Sequence, residues 1–227
     1  MHCIIWTEKV WTKWQNMKFC SEQLLLYAIT DRRWSTRQTF LDQVEKSLIG
    51  GATCLQLREK NLDRDSFLDE AIKIRPLCKK FNVPFIINDD VDIAIEADVD
   101  GVHVGQDDTD LFDVRKKLGN DKIVGVSVQT VEQAVLATKG GADYLGVGAM
   151  FKTSTKQDAK LVDMDTLKEI CQSTRLPVVA IGGINHQTIP LLRGSGIRGI
   201  AVISAIFAQD DIVASTKAIK TLAKTII

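Results

Sequence analysis

From residue 24 onward the chain alternates between two hydrophobic rhythms. Short apolar runs rich in Val, Ile and Leu are separated by longer segments whose apolar residues recur at helical spacing. That alternation marks successive βα units feeding a parallel sheet. The runs predict strands at Leu24–Thr30, Thr53–Glu59, Pro84–Asn88, Gly101–Gly105, Lys122–Val128, Tyr144–Ala149, Val178–Gly182 and Gly199–Ser204. The intervening segments predict helices over Arg37–Leu48, Asp65–Lys80, Asp110–Leu118, Val131–Lys139 and Met164–Ser173. Gly stands just before the next strand in "LIGGATCLQL", "TKGGADYLGV" and "RGSGIRGIAV", where it supplies the left-handed cap that turns a helix back into a strand. Pro76 is a local misfit inside Asp65–Lys80, since proline in a helix costs about 3 kcal/mol or forces a kink.

Eight βα units in about 200 residues predict an α/β fold of the (β/α)8 TIM-barrel type, near the lower end of its size range. The rival is a doubly wound open sheet, but no G-x-G-x-x-G follows the first strand, where a dinucleotide fold carries it. No linker-like composition interrupts the pattern, so residues 21–227 read as one catalytic barrel domain. Residues 1–20, "MHCIIWTEKVWTKWQNMKFC", hold three of the four tryptophans but lack the apolar core of a signal peptide. They read as a dispensable extension: an amphipathic helix packed on the domain, or an upstream translation with Met17 as the true start.

Composition narrows the partners. Lys plus Arg total 29 and Asp plus Glu total 29, so the formal charge is zero. This balance lacks the basic footprint of a nucleic-acid binder, and no polybasic run addresses a membrane surface. No apolar run reaches the roughly 20 residues needed to span a bilayer. Small molecules are therefore the expected partners, with neither nucleic acid nor membrane, and a homo-oligomer is compatible with these totals. Five cysteines, odd in number and without a C-x-x-C pair, suit reduced thiols in a cytoplasmic protein better than a disulfide frame or zinc site.

In a barrel, chemistry sits at the C-terminal ends of the strands. Collecting those ends gathers Arg58 and Lys60; Asn88, Asp89 and Asp90; Gln106, Asp107 and Asp108; Ser127; and Thr153, Thr155 and Lys156 on the loop after strand 6. Gly182-Gly183 and Ile203-Ser204 close strands 7 and 8. With a side-chain period of two, Gln56, Arg58 and Lys60 share one face while Leu55 and Leu57 share the other. Two cations beside a carboxamide suit a phosphate or diphosphate; an internal ion-pair network with Glu59 is the competing reading. Asp89 with Asp107 or Asp108 suits Mg²⁺, against the plainer alternative of turn and N-cap aspartates. Gly-Gly and strand 8 mark the place where many barrels bind phosphate through backbone N–H groups. His103, flanked by valines, reads more readily as a satisfied core residue than as a catalyst, and His186 as part of a helix start. No Ser-His-Asp or Cys-His set emerges, so no nucleophile is assigned.

In order and spacing, "LLLYAITDR", "GGATCLQLREK", "PFIIND", "DGVHVGQDD", "GVSVQT", "FKTSTK", "AIGGI" and "AVISAI" resemble thiamine phosphate synthase, from Leu24 to about Phe207. The resemblance implies a transferase that joins 4-amino-5-hydroxymethyl-2-methylpyrimidine diphosphate to a thiazole phosphate. Diphosphate departs first and leaves a pyrimidine-stabilised cation. By motif, Gln56, Leu57, Arg58, Glu59, Lys60 and Asn88 contact the pyrimidine diphosphate, and Asp89 and Asp108 bind Mg²⁺. Ser127 and Lys156 contact diphosphate or pyrimidine; Thr153, Ser154, Thr155, Gly183, Ile203 and Ser204 hold the thiazole phosphate. Arg58, Lys60, Ser127 and Lys156 are then the catalytic set. The chain departs from the family pattern at Ala149 and Lys152, where proline is common, and at Asp90, where a basic residue is frequent. Two rivals share the barrel. The related thiazole tautomerase, an isomerase, typically lacks the paired metal carboxylates and the T-x-T-K loop. A non-catalytic sensor of a phosphorylated precursor would not require Asp89 with Asp108.

Overall fold

In a computed structural model of the chain, residues 20–35, 38–106, 110–153 and 160–227 are described. The predicted extension over residues 1–20, Met17 included, lies outside them except for Cys20. Eight parallel strands close into a barrel in sequence order, and β8 pairs back with β1. They are β1 Leu26–Ile29, β2 Cys54–Leu57, β3 Phe85–Asn88, β4 Gly101–Val104, β5 Ile123–Val128, β6 Tyr144–Val147, β7 Val178–Ile181 and β8 Gly199–Val202. β1, β2, β6 and β8 are buried along their whole length, as strands covered on both faces must be. Several strands stop one or two residues before the apolar pattern does. Residues such as Arg58, Gly148 and Ile203 leave the ladder there and enter the loops that shape the mouth.

Period-two alternation sorts the strand side chains into two cores. Leu55, Leu57, Val102, Val126 and Leu145 pack outward against the helical shell. Tyr27, Cys54, Ile86, Ile123, Tyr144, Val179 and Ala201 fill the barrel interior.

Helix starts are capped as their sequences suggest. Thr39, Asp63, Asp110, Thr130 and Asp163 each accept a first-turn N–H from their own helix, and each such cap contributes about 1 kcal/mol. The helix Arg64–Phe81 continues past Pro76 without a break. Its inner stripe of Phe67, Ala71, Ile74 and Cys78 is buried. At about 1.5–3 kcal/mol for each large apolar side chain, that burial outweighs one proline. Helix ends reverse as predicted, with a refinement: the second glycine of each pair takes the left-handed conformation, Gly51 at φ 98° and Gly141 at φ 87°. Asn82 and Asp98 do the same without glycine, which short polar side chains tolerate. The helix Val91–Glu96 follows β3, and the chain closes with Ile212–Ala223. After β7 only a 3-10 turn, Ile189–Leu192, forms, with Pro190 near its start. His186 lies ahead of that turn, so the expected helix start is not formed there.

Burial separates the thiols. Cys54 and Cys78 are buried and Cys20 is exposed; burial pushes the Cys54 and Cys78 thiols up and holds Cys171 at about 11. Alkylation of the native chain, mapped by peptide mass spectrometry, is therefore expected to label Cys20 first and to reach Cys54 and Cys78 only in denaturant. Equal labelling of all of them in buffer would contradict this packing.

Candidate active site

The C-terminal ends of the strands enclose a cavity of about 380 Å³, within the size range of small-ligand pockets. Gln56, Arg58, Lys60, Asn88, Asp89, Ser127, Thr153, Gly183, Ile203 and Ser204 all line it. Residues from six strand ends thus converge on one space, as the barrel rule requires. Leu57 and Glu59, which the motif includes, do not line it. Leu57 belongs to the outer core. Glu59 turns to a neighbouring cavity shared with Asp31, Arg32 and Arg33. Asp108, Ser154, Thr155 and Lys156 lie outside the described residues.

Period-two alternation along β2 and beyond it explains the split. Glu59 points away from the mouth and meets Arg32 at 3.1 Å, while Arg32 also stacks over Phe40 at 4.4 Å. That closer Arg32–Glu59 approach falls outside hydrogen-bond geometry, so the pair rests on attraction and one longer bond of 3.3 Å. Burial pushes the Glu59 carboxyl up, against the pull of Arg32. For Asp31, burial raises the carboxyl, but the Arg33 contacts prevail and hold it below the usual range. Glu59 is thereby used by Arg32, and Arg58 makes no ion pair among the described residues. The internal network with Glu59 exists; Arg58 makes no ion pair within it among the described residues, and its charge only helps to hold Asp31 down. A guanidinium at a cavity wall, without an ion pair among the described residues, suits an anion.

Beside it, Lys60 Nζ lies 2.5 Å from Asp89 Oδ2, and Asn88 Nδ2 donates to the same oxygen at 2.6 Å. Asp89 adopts φ 64°, a left-handed backbone unusual outside glycine and enriched at functional sites. Its N–H donates to the His103 carbonyl at 2.8 Å, which stitches β3 to β4 at the mouth. The N-cap alternative does describe Asp90, whose carboxylate accepts from Ile93 N–H at 2.8 Å, and Asp110 likewise. It does not describe Asp89. Among the described residues no group of three or more His, Cys, Asp or Glu could hold a metal unaided. Asp89 offers a hard carboxylate of the kind that Mg²⁺ prefers, and a phosphate-bearing ligand and water would have to supply the other oxygens.

Across the mouth, Gly182 and Gly183 adopt φ 90° and 67°. A Cβ on Gly183 would approach the Lys152 carbonyl to 2.7 Å, so glycine lets this turn press against the loop after β6. Asn185 and Thr188 brace it, with the Thr188 hydroxyl donating to the Gly183 carbonyl at 3.0 Å. Ser204 opens the short helix Ser204–Phe207, whose N-terminus carries no side-chain cap. Backbone N–H groups there suit a phosphate.

Among the wall residues that sequence reasoning missed, three are polar and bonded. Gln129 reaches the Gly148 carbonyl at 3.2 Å and the Lys160 carbonyl at 3.3 Å, anchoring both sides of the loop after β6. Tyr27 lines the cavity from below. His103 is satisfied, as expected, but by Tyr144 and Ser127 at 2.9 Å each, and it too lines the cavity. "YAI" and "DYLGV" carry the tyrosines in plain view, yet only barrel closure brings them together.

This arrangement has counterparts. The family model described as thiamine monophosphate synthase matches residues 26–206. The thiamine-phosphate synthase of Ruminiclostridium cellulolyticum is 50% identical over 192 residues, covering 85% of this chain and 91% of that protein. That of Clostridium beijerinckii is 47% identical over 195 residues, covering 86% and 93%. Among solved structures, the thiamine phosphate pyrophosphorylase from Pyrococcus furiosus superposes with a TM-score of 0.84 at 35% identity, over 91% of this chain and 98% of that one. No helix among the described residues is long and apolar enough to cross a membrane. With its barrel, its cation-lined mouth and a match spanning most of its length, the chain belongs to the thiamine monophosphate synthase family.

Proposed function

We propose that the chain condenses hydroxymethylpyrimidine diphosphate with a thiazole phosphate, forming thiamine monophosphate and releasing diphosphate. The observation that carries this reading is the meeting of Arg58, Lys60, Asn88 and Asp89 with Gly183 and Ser204 in one cavity, in a member of this family. The methylene C–O bond of the pyrimidine diphosphate breaks, and its electron pair leaves on the diphosphate. The thiazole nitrogen then gives its lone pair to the methylene carbon. No protein atom attacks, which agrees with the want of a nucleophile in the sequence. Arg58 and Lys60 meet the charge growing on the departing oxygens, where fixed cations act most strongly. Gln56 and Ser127 hold the pyrimidine ring. Gly183, Ile203, Ser204 and Thr153 seat the thiazole phosphate, with Ser154 and Thr155. Lys156 joins Arg58 and Lys60 on the diphosphate, and the loop that carries it excludes water from the cation. Leu57 and Glu59 act from behind the wall: Leu57 anchors β2 in the outer core, and Glu59 keeps Arg32 occupied.

Asp89 and Asp108 would hold Mg²⁺, which when bound supplies Lewis-acid charge to the leaving diphosphate. Residues 21–227 form the catalytic unit, the extension before it is dispensable, and the unpaired thiols suit the reducing cytoplasm.

Product formation from both substrates with Mg²⁺ and then with EDTA tests this. Turnover is expected to vanish in EDTA. Asp89→Asn is expected to raise the Mg²⁺ concentration needed for half-maximal rate by about tenfold or more. A folded wild type that binds both substrates without making product would overturn the reading in favour of a sensor.

A further inference from the structure

Below the cationic rim, the barrel interior holds a row of polar groups that neither the diphosphate nor the thiazole contacts use. Gln56 Nε2 donates to the Tyr27 hydroxyl at 2.7 Å. The hydroxyls of Tyr27 and Tyr144 lie 2.9 Å apart. The Tyr144 hydroxyl lies 2.9 Å from His103 Nδ1, and His103 Nε2 lies 2.9 Å from Ser127 Oγ. Five side chains from β2, β1, β6, β4 and β5 thus form one chain, and both its ends, Gln56 and Ser127, line the cavity. The fold makes room for it at two strand glycines. A Cβ at Gly125 would lie 2.1 Å from Tyr144 Cζ, and one at Gly146 would lie 3.1 Å from His103 Cε1.

Two proton arrangements satisfy this chain, one running from Gln56 to Ser127 and one the opposite way. In the first, Tyr27 accepts from the Gln56 amide and gives its proton to Tyr144. Burial holds both phenols in their protonated form by raising their pKa values well above the usual range. In that arrangement Tyr144 gives its proton to the Nδ1 lone pair. His103 then carries its own proton on Nε2 and donates it to Ser127 Oγ. The Ser127 hydroxyl is left to donate into the cavity, and at the other end Gln56 offers its carbonyl oxygen.

We propose that Tyr27, Tyr144 and His103 are positioning residues that set the polarity of the pyrimidine site, presenting an acceptor at Gln56 and a donor at Ser127. Such a site takes a ring with an amino group on one edge and a ring-nitrogen lone pair on the opposite edge. This inference rests on the assignment of Gln56 and Ser127 to the pyrimidine. The acceptor at Gln56 also strengthens donation from the amino nitrogen into the ring as the methylene cation forms. An oxo group in place of the amino group would set lone pair against lone pair, so the chain discriminates between the two rings from beneath the site.

The test uses full-length protein labelled with 15N-histidine, with the His103 signals identified by their loss in His103→Gln. In the wild type, two-bond proton–nitrogen spectra are expected to show the proton on Nε2. In Tyr144→Phe that single tautomer is expected to be lost. The preference for the aminopyrimidine diphosphate over its oxo analogue, as a ratio of kcat/KM, is expected to fall by about tenfold or more, while KM for the thiazole phosphate stays within about twofold. A wild-type proton on Nδ1, or an unchanged preference in Tyr144→Phe, would overturn the proposal. Should that variant not fold, Tyr27→Phe is read the same way, and the wild-type tautomer decides alone. Failure of the proposed function is a separate result, a wild type that makes no thiamine monophosphate whatever its tautomer.

Discussion

Arg58→Ala is expected to lower kcat/KM for the pyrimidine diphosphate by about 100- to 1,000-fold, the range seen when one fixed stabiliser of developing charge is removed. The loss should fall mainly on kcat, because the charge on the leaving diphosphate is greatest in the transition state. Arg58→Lys should recover part of it, since it keeps the charge but loses the planar fork that grips two oxygens at once. Neither change should disturb the fold. The Arg58 side chain makes no ion pair among the described residues, and the bond tying this point of the chain to the barrel comes from its backbone N–H, which donates to Thr30 Oγ1 at 3.0 Å. Steady-state kinetics with a thermal melt decide the matter. An unchanged kcat/KM in a folded Arg58→Ala protein would mean that the diphosphate is held elsewhere.

Gly125→Ala should strongly destabilise the barrel through its interior. Its Cβ would lie 2.1 Å from Tyr144 Cζ and 2.4 Å from the Tyr144 hydroxyl. Tyr144 cannot retreat, because it is fully buried, packs edge-on to Tyr27 at 5.9 Å between ring centroids, and bonds to both Tyr27 and His103. Overpacking of this kind costs about 3 kcal/mol, a large share of the stability of a single domain. Urea denaturation should show that loss. A double variant with Leu at position 144 should regain part of it, because the two sites share one space and their effects are not additive. Full stability in Gly125→Ala would mean that the interior is looser than these contacts imply.

Much of this was legible in the chain itself. Strand alternation separated Gln56, Arg58 and Lys60 from Leu55 and Leu57, because a period of two is a local property of extended backbone. Glycine pairs at helix ends announced the reversals for the same reason. The fate of Glu59 was not legible. Its partner Arg32 is 27 residues away in sequence, and nothing local distinguishes a charge that faces substrate from one that faces another side chain. Asp89 and Asp90 look alike as adjacent letters, yet one caps a helix and the other takes a left-handed backbone at the mouth. His103 was readable as a satisfied histidine, but not as the link between Tyr144 and Ser127.

Sequence by itself determined the periodicities, and through them the eight strands, the barrel class and the rim of charged residues at the strand ends, since these depend on neighbours a few residues apart. Tertiary structure decided which charges are neutralised from behind, which glycines make room for rings, and how Gln56, Tyr27, Tyr144, His103 and Ser127 join. Those outcomes depend on barrel closure, which brings together groups up to 117 residues apart in an interior where every buried polar atom must find its partner across the sheet.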